Sequence, residues 1–263
     1  MPTISILGTG WLGLPLAQHL IAAGHPVKAS TTSEDRLPLL ADVGADPHLV
    51  DLDALTPSVR DFLQSEVLIV NIPYKRVDRF RAFIAIMEAS PVRYVLFVSS
   101  TSVYQNVTAT VTESDTQYHA ESPLLEIESL FRSVASVQTT VVRFGGLIGY
   151  SRHPGRFFKS GRAIPNPEAP VNLIHRDDCV NVLHQIVAQA AWGHTLNACA
   201  DTHPSRRAFY TRAFALAGRP EPPAFGPNDP ASGKRVSSAH LRQVLSYTFQ
   251  HPDLMALDFR EPT

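Results

Sequence analysis

The feature that most constrains this chain is a glycine series near its start, Gly8, Gly10 and Gly13, set between a short apolar run and a helical pattern. Ile4, Ile6 and Leu7 read as a buried strand that stops at Gly8. Leu16, Ala17, Leu20 and Ile21 then recur at the spacing of one helix face before Gly24. Pro15 fits only the first turn of that helix, where a missing N–H leaves no bond unmade. Strand, G-x-G-x-x-G turn and helix in this order make a dinucleotide-binding fingerprint out of a loose pattern. Gly8 permits the tight turn, Gly10 lets the backbone approach a pyrophosphate, and Gly13 lets the helix lie close on the strand. The unpaired N–H groups and positive dipole end at the helix start suit an anion. Trp11 and Leu12, inside the turn, join the three glycines as candidate cofactor contacts.

The alternation continues down the chain. Residues 27–30 read as a second strand, and Thr31, Thr32 and Ser33 follow it before a short helix through Leu37 and Leu40. In this architecture the end of the second strand selects the cofactor, through a carboxylate on a ribose hydroxyl or a cation on a 2′-phosphate. No carboxylate stands before Glu34, whereas Thr31, Thr32, Ser33 and Arg36 offer hydroxyls and a cation. NADP is therefore expected, with NAD as the alternative, and Ser33 is also expected to cap the helix. A third strand over 46–51 ends in Asp51, Leu52 and Asp53, and 58–64 is a helical connector. Residues 67–70 form an unbroken apolar strand of the kind buried on both faces. A helix over 77–88 carries Phe80, Phe83, Ile84 and Met87 on one face.

A strand over 94–98 runs into Ser99, Ser100, Thr101, Ser102, Val103 and Tyr104; a helix over 124–133 and a strand over 139–142 come next. This rhythm predicts an α/β protein with a doubly wound parallel sheet, a Rossmann fold, with ligands at the carboxyl ends of its strands. After Phe144, glycines (Gly145, Gly146, Gly149, Gly155, Gly161) and prolines from Pro154 to Pro170 mark irregular structure. A short strand over 171–174, a helix opened by His175, Asp177 and Asp178, a strand over 195–197, a helix over 205–216 and a last helix near Leu241 and Val244 complete the reading. The expected organisation is a dinucleotide-binding domain over 1–149, with its sheet completed by about 171–200, and a small substrate lobe built from 150–170 and 201–263.

Composition narrows the function classes. The 263 residues are enough for one large α/β domain, and a net charge of −1 recruits no nucleic acid by bulk electrostatics. Cys179 and Cys199 form no disulfide framework, and no His pair or His/Cys/Asp cluster has ligand spacing, so no metal is expected. The opening residues enter a strand at once, so a cytoplasmic location and no membrane contact are expected. A serine hydrolase is disfavoured, because Gly149-Tyr-Ser151-Arg-His153 lacks the second glycine of a nucleophile elbow.

Separated motifs then agree in order: Gly8/Gly10/Gly13; Asp51-Leu52; Val98 through Tyr104; Val142-Arg143 through Gly149; Asn172 through Val180; and Lys234 through Ser238. Together they resemble the extended short-chain dehydrogenase/reductases, the NAD-dependent epimerase/dehydratase family, and most closely its short, atypical members. The resemblance implies Asp51 and Leu52 near an adenine, and Ile72, Pro73 and Ser99 beside the cofactor. It implies Ser100 as the active-site hydroxyl and a homodimer acting on a small polar molecule. It also implies a tyrosine general acid/base with a lysine four residues later, one helical turn away, where a cation favours the phenolate.

This chain departs from that last element. Tyr118 is the best candidate, Ser122 stands where the lysine would be, and Glu126 supports the register. The alternative register places Ala120 and Leu124 in the two roles. The nearest lysines along the chain are Lys75 and Lys159, and Pro123 prevents the helix from reaching back to Tyr118. The expected function is a dinucleotide-dependent oxidoreductase or epimerase with Ser100 and Tyr118 at the chemistry and Tyr104, His175 or Glu113 as stand-ins. Glu113 is otherwise read as solvated and His175 as a packed helix-start residue. The alternative is a dinucleotide-binding regulator or sensor without turnover. Arg143, Arg152, Arg156 and Arg162 are candidates to meet a phosphate or carboxylate, of which one is expected to touch ligand.

Overall fold

The computed structural model describes residues 1–158, 162–219, 223–230 and 233–259. Lys159 and Gly161, singled out above, lie outside the described residues. In chain order the elements are β1 (Ile4–Leu7), α1 (Gly13–Ala22), β2 (Val27–Thr31), α2 (Leu37–Asp42), β3 (Asp46–Leu49), α3 (Val59–Phe62), β4 (Val67–Val70), α4 (Val77–Met87), β5 (Tyr94–Ser100) and β6 (Thr110–Val111). They continue with α5 (Pro123–Arg132), β7 (Gln138–Phe144), β8 (Gly146–Ile148), β9 (Leu173–His175), α6 (Arg176–Ala188), β10 (Thr195–Ala198), α7 (Arg206–Leu216), β11 (Arg235–Val236) and α8 (Ala239–Leu245).

Seven strands form one sheet in the order β10-β7-β5-β4-β1-β2-β3, and the pairs β3–β2, β2–β1, β1–β4 and β4–β5 all run parallel. The chain reverses its direction of travel across the sheet after β3, returning to pair β4 with β1, which is the doubly wound arrangement. β1 and β4 are buried along their whole length because helices cover both faces of such a sheet. β3 is the contrast: an edge strand with Pro47 inside it and no buried residue. It ends at Leu49 rather than at 51, because Asp51 turns its carboxylate back onto the Asp53 N–H at 2.9 Å.

The chain divides into two compact units. The first comprises 1–99, 120–142 and 180–195. Its interior holds three phenylalanines in mutual contact, Phe80 of α4, Phe97 of β5 and Phe131 of α5, with ring centroids 5.5 to 6.3 Å apart. Each buried ring is worth roughly 1.5–3 kcal/mol by area alone. The apolar face expected on α4 is the buried one, Phe80, Phe83, Ile84 and Met87.

The second unit comprises 100–119, 143–179 and 196–263. The segments expected to form a lobe, 150–170 and 201–263, both lie in it, together with β8 and β9, which pair in parallel, and β6 and β11, which do likewise. Phe209, Ala213 and Phe214 of α7 pack there with Ile148, Ile164 and Leu254. Ser205 caps α7 by accepting the Ala208 N–H at 3.2 Å. Cys179 and Cys199 are both free and buried; burial pushes the Cys199 thiol up to about 12, so neither offers a thiolate at neutral pH. Among the described residues no helix is long and apolar enough to cross a membrane.

Candidate functional site

The glycine turn is built by steric exclusion. Gly8 has φ +96°, and a Cβ there would lie 2.3 Å from Ile72 Cγ2 and 2.6 Å from the Asn71 carbonyl. A Cβ on Gly13 would lie 2.1 Å from the Gly8 carbonyl, so α1 can approach the strand only as glycine. Polar bonds then lock the turn. The Gly8 N–H donates to Ser30 Oγ at 3.0 Å, Thr9 Oγ1 donates to the Ser30 carbonyl at 2.6 Å, and Asn71 Nδ2 donates to the Gly8 carbonyl at 3.2 Å.

Gly10 differs from its neighbours, since a Cβ there would meet no heavy atom within 4 Å. The protein needs no glycine at that position for its own packing. The first turn of α1 carries no acidic residue, so nothing opposes the positive end of the helix. Beside it, Arg36 Nη2 donates to the Thr9 carbonyl at 3.0 Å, which sets a guanidinium against the turn.

The other expected contacts divide. Trp11 and Thr31 are half-buried, Thr32 and Pro73 exposed, and Leu12 and Leu52 buried; Asp51 is exposed and bonded within its own turn. Ser33 holds the cap position ahead of a single turn of 3-10 helix (Glu34–Arg36), but its hydroxyl bonds the Asp35 side chain and caps no backbone N–H. The expected helix therefore opens as 3-10 and becomes α only at Leu37. Ser99 is buried, and its hydroxyl donates to Glu128 of α5 at 2.6 Å, which turns that side chain into the interior.

These residues fit a dinucleotide. Two walls of the turn exclude any side chain, the space above Gly10 is open, and a cation and a helix start without acidic residues would suit an anion.

The second unit holds the hydroxyls. Ser100 Oγ accepts the Ser102 N–H at 3.1 Å and so starts the 3-10 turn over 101–103. Tyr104 is 1% exposed and donates to Asn197 Oδ1 at 2.9 Å; Asn197 Nδ2, buried beside it, has no hydrogen-bond partner among the described residues. Tyr118 pairs antiparallel with Tyr104 through an isolated bridge, and their rings stack with centroids 5.5 Å apart. Since α5 begins at Pro123, Tyr118 sits on an extended segment rather than a helix face, as the proline predicts.

Arg143, from the end of β7, supplies the cation here. It is 4% exposed, its guanidinium lies 5.0 Å from both ring centroids, and Nη1 donates to Tyr104 Oη at 2.8 Å and Tyr118 Oη at 3.3 Å. Burial raises the Tyr104 phenol above its ordinary value despite this cation. Glu113, expected to be solvated, instead accepts the Asn197 backbone N–H at 2.6 Å.

A lysine does reach this unit's hydroxyl segment, from far along the chain. Lys234 Nζ donates to the carbonyls of Tyr104 at 2.8 Å and Thr101 at 3.2 Å, which closes the end of the 3-10 turn after Ser100. Burial pushes its amine below the ordinary lysine value. Asn172 holds the segment around it, donating to the Lys234 carbonyl and accepting the Val236 N–H, both at 2.8 Å. Lys234→Met should cost about 2–4 kcal/mol, since it strands two carbonyls that a charged donor satisfies; urea unfolding of the variant measures it.

His175 belongs to a different group. It closes β9, and its Nδ1 lies 3.3 Å from Asp177 Oδ2; His251 Nε2 approaches the same oxygen at 3.4 Å. Sequence spacing offered no metal-type cluster because 74 residues separate Asp177 from His251.

Similarities to known proteins agree with this architecture. No family model matches the chain. Protein YeeZ of Escherichia coli (strain K12) is 31% identical over 98% of this chain and 99% of its own length. Among solved structures, a protein from Methylobacillus flagellatus named for the NAD-dependent epimerase/dehydratases is 25% identical, with TM-score 0.77 over 96% of this chain and 94% of that one. The UDP-glucuronic acid 4-epimerase of Bacillus cereus in complex with NAD superposes with TM-score 0.78 over 97% of both chains, at 14% identity.

Proposed function

The chain belongs to the family of protein YeeZ and has the extended short-chain dehydrogenase/reductase fold, and on that premise we propose that it is a dinucleotide-dependent oxidoreductase or epimerase acting on a small polar molecule. The observation that carries the reading is the turn in which Gly8 and Gly13 are demanded by packing while Gly10 is not. A glycine the protein does not need for itself is explained by a pyrophosphate lying over it. Gly8, Gly10, Trp11, Leu12 and Gly13 would hold the phosphates, with Asp51, Leu52, Ile72 and Pro73 toward the rest of the cofactor. The nicotinamide, when bound, supplies hydride acceptance or donation.

NADP is the proposed form. Thr31, Thr32 and Ser33 present hydroxyls without a competing carboxylate, and Arg36 brings a charge that a 2′-phosphate would pair with. Arg36→Ala should lower NADPH affinity on the order of 10-fold and leave NADH affinity little changed, as expected for one lost charge-assisted contact. An equal loss for both cofactors would assign Arg36 to the turn alone.

For proton transfer we assign Tyr118, with Arg143 in the part that the family's lysine plays. Guanidinium is permanently charged, and its Nη1 faces the phenol oxygen from which a proton would leave. The cation therefore stabilises charge that develops on that oxygen. Tyr104 shares the same nitrogen but is buried, so burial keeps it a neutral phenol that orients the pair. Ser100 offers a hydroxyl held in place by the Ser102 N–H. The lobe around 150–170 and 201–263 is proposed to select the substrate.

A further inference from the structure

Three side chains of the second unit converge on a point that the proposed reaction does not use. They are His175 at the end of β9, Asp177 in the first turn of α6, and His251 in the segment after α8. One ligating atom from each of the three lies within 4.8 Å of the others. The two nitrogen-to-oxygen separations are 3.3 and 3.4 Å. Charge-assisted hydrogen bonds run shorter, at about 2.7–2.9 Å. Four-coordinate zinc with bonds of about 2.0–2.1 Å sets its ligand atoms roughly 3.3–3.4 Å apart along each tetrahedral edge. The observed separations match the second spacing rather than the first.

The orientation of the groups points the same way. Gly149 has φ +113°, and a Cβ there would lie 2.4 Å from His175 Nε2, so the ring seats against bare backbone on that side. With Nε2 on the backbone side, Nδ1 is the ring nitrogen turned toward Asp177, 3.3 Å from its Oδ2.

The surroundings hold the three groups in place. Tyr150 Oη donates to the other Asp177 oxygen at 2.8 Å, and Arg176 stacks on the Tyr150 ring at 3.6 Å. Asp178, fully buried, accepts from Tyr247 Oη at 2.8 Å, from the Gln250 N–H at 2.7 Å and from the His251 N–H at 3.0 Å, which fixes the backbone that carries His251. Such partners orient metal ligands. The side chains of Asp177 and His251 are about one-third exposed, 33% and 31%, so the point is reachable from solvent.

We propose that His175, Asp177 and His251 form a binding site for one borderline divalent cation of the zinc class, with its fourth position open to water or to an anionic ligand.

The test uses the full chain after dialysis against a chelator, with cobalt(II) as the spectroscopic probe and zinc(II) as competitor. The expected result is a visible d–d band of four-coordinate cobalt that saturates at one equivalent per chain and is erased by zinc. His251→Phe keeps a ring against His175 and removes the ligating nitrogen; it should weaken zinc binding on the order of 100-fold or more. Asp177→Asn should weaken it comparably, and either variant serves if the other fails to fold by circular dichroism. His240→Ala, an exposed histidine outside the cluster, should bind as the unmodified chain does. The absence of a saturable band, or a band that persists unchanged in His251→Phe or Asp177→Asn, would overturn the site.

Discussion

Gly10→Val is expected to leave the fold intact and to remove dinucleotide binding. The first half follows from space: a Cβ at Gly10 meets no protein atom within 4 Å, so unfolding should stay within about 1 kcal/mol of the unmodified chain. The second half follows from the same space, which the branched side chain would fill where a pyrophosphate has to touch backbone. Losing one or two charge-assisted contacts of about 1.5–3 kcal/mol each corresponds to an affinity loss of roughly 100-fold. Gly13→Ala gives the opposite pattern, because its Cβ would lie 2.1 Å from the Gly8 carbonyl. That variant should fold poorly whatever is bound. Thermal unfolding and a fluorescence titration of both variants separate the two roles. Unmodified affinity in Gly10→Val would show that the turn serves packing alone.

Arg143→Met should damage stability and chemistry together, and Tyr118→Phe chemistry alone. Arg143 is 4% exposed and donates one nitrogen to two phenols, so its removal takes that donor from both oxygens and leaves the cavity of a large side chain. A loss of roughly 2–4 kcal/mol is expected. Arg143→Lys should recover part of it, since it restores the charge without the planar group that lies 5.0 Å from each ring. Tyr118 is half-buried, and losing its hydroxyl should cost less than about 1 kcal/mol. Turnover on any carbonyl or alcohol substrate of the protein should nevertheless fall by roughly 100-fold or more. Unchanged turnover in Tyr118→Phe would remove the hydroxyl from the mechanism. Dinucleotide binding with no turnover in the unmodified chain would favour the sensor reading.

What could be read from the sequence was local. β1, the glycine turn and α1 follow from apolar period and glycine spacing, which act over neighbouring residues, and α4 shows its buried face in the spacing of Phe80, Phe83, Ile84 and Met87. That Tyr118 lies outside a helix was likewise legible, because Pro123 limits where α5 can start.

What escaped was convergence. Arg143 carries no local mark that it reaches Tyr118, and Lys234 meets the Tyr104 carbonyl across 130 positions, a separation that leaves no trace in local spacing. His251 joins Asp177 for the same reason. Ser99 and Glu113 looked available in sequence, and each is held by a buried partner brought in from elsewhere in the fold, Glu128 and the Asn197 N–H. Ser33 misled differently. Its type and position suit a cap, but the adjacent Asp35 competes for its hydroxyl.

The most direct measurement is a calorimetric titration of the purified, unmodified chain with NADPH and with NADH. Saturable binding of one dinucleotide per chain, tighter for NADPH, is the predicted result. No saturable binding of either cofactor would contradict the account at its centre, since the opening between Gly8 and Gly13 would then have nothing to hold.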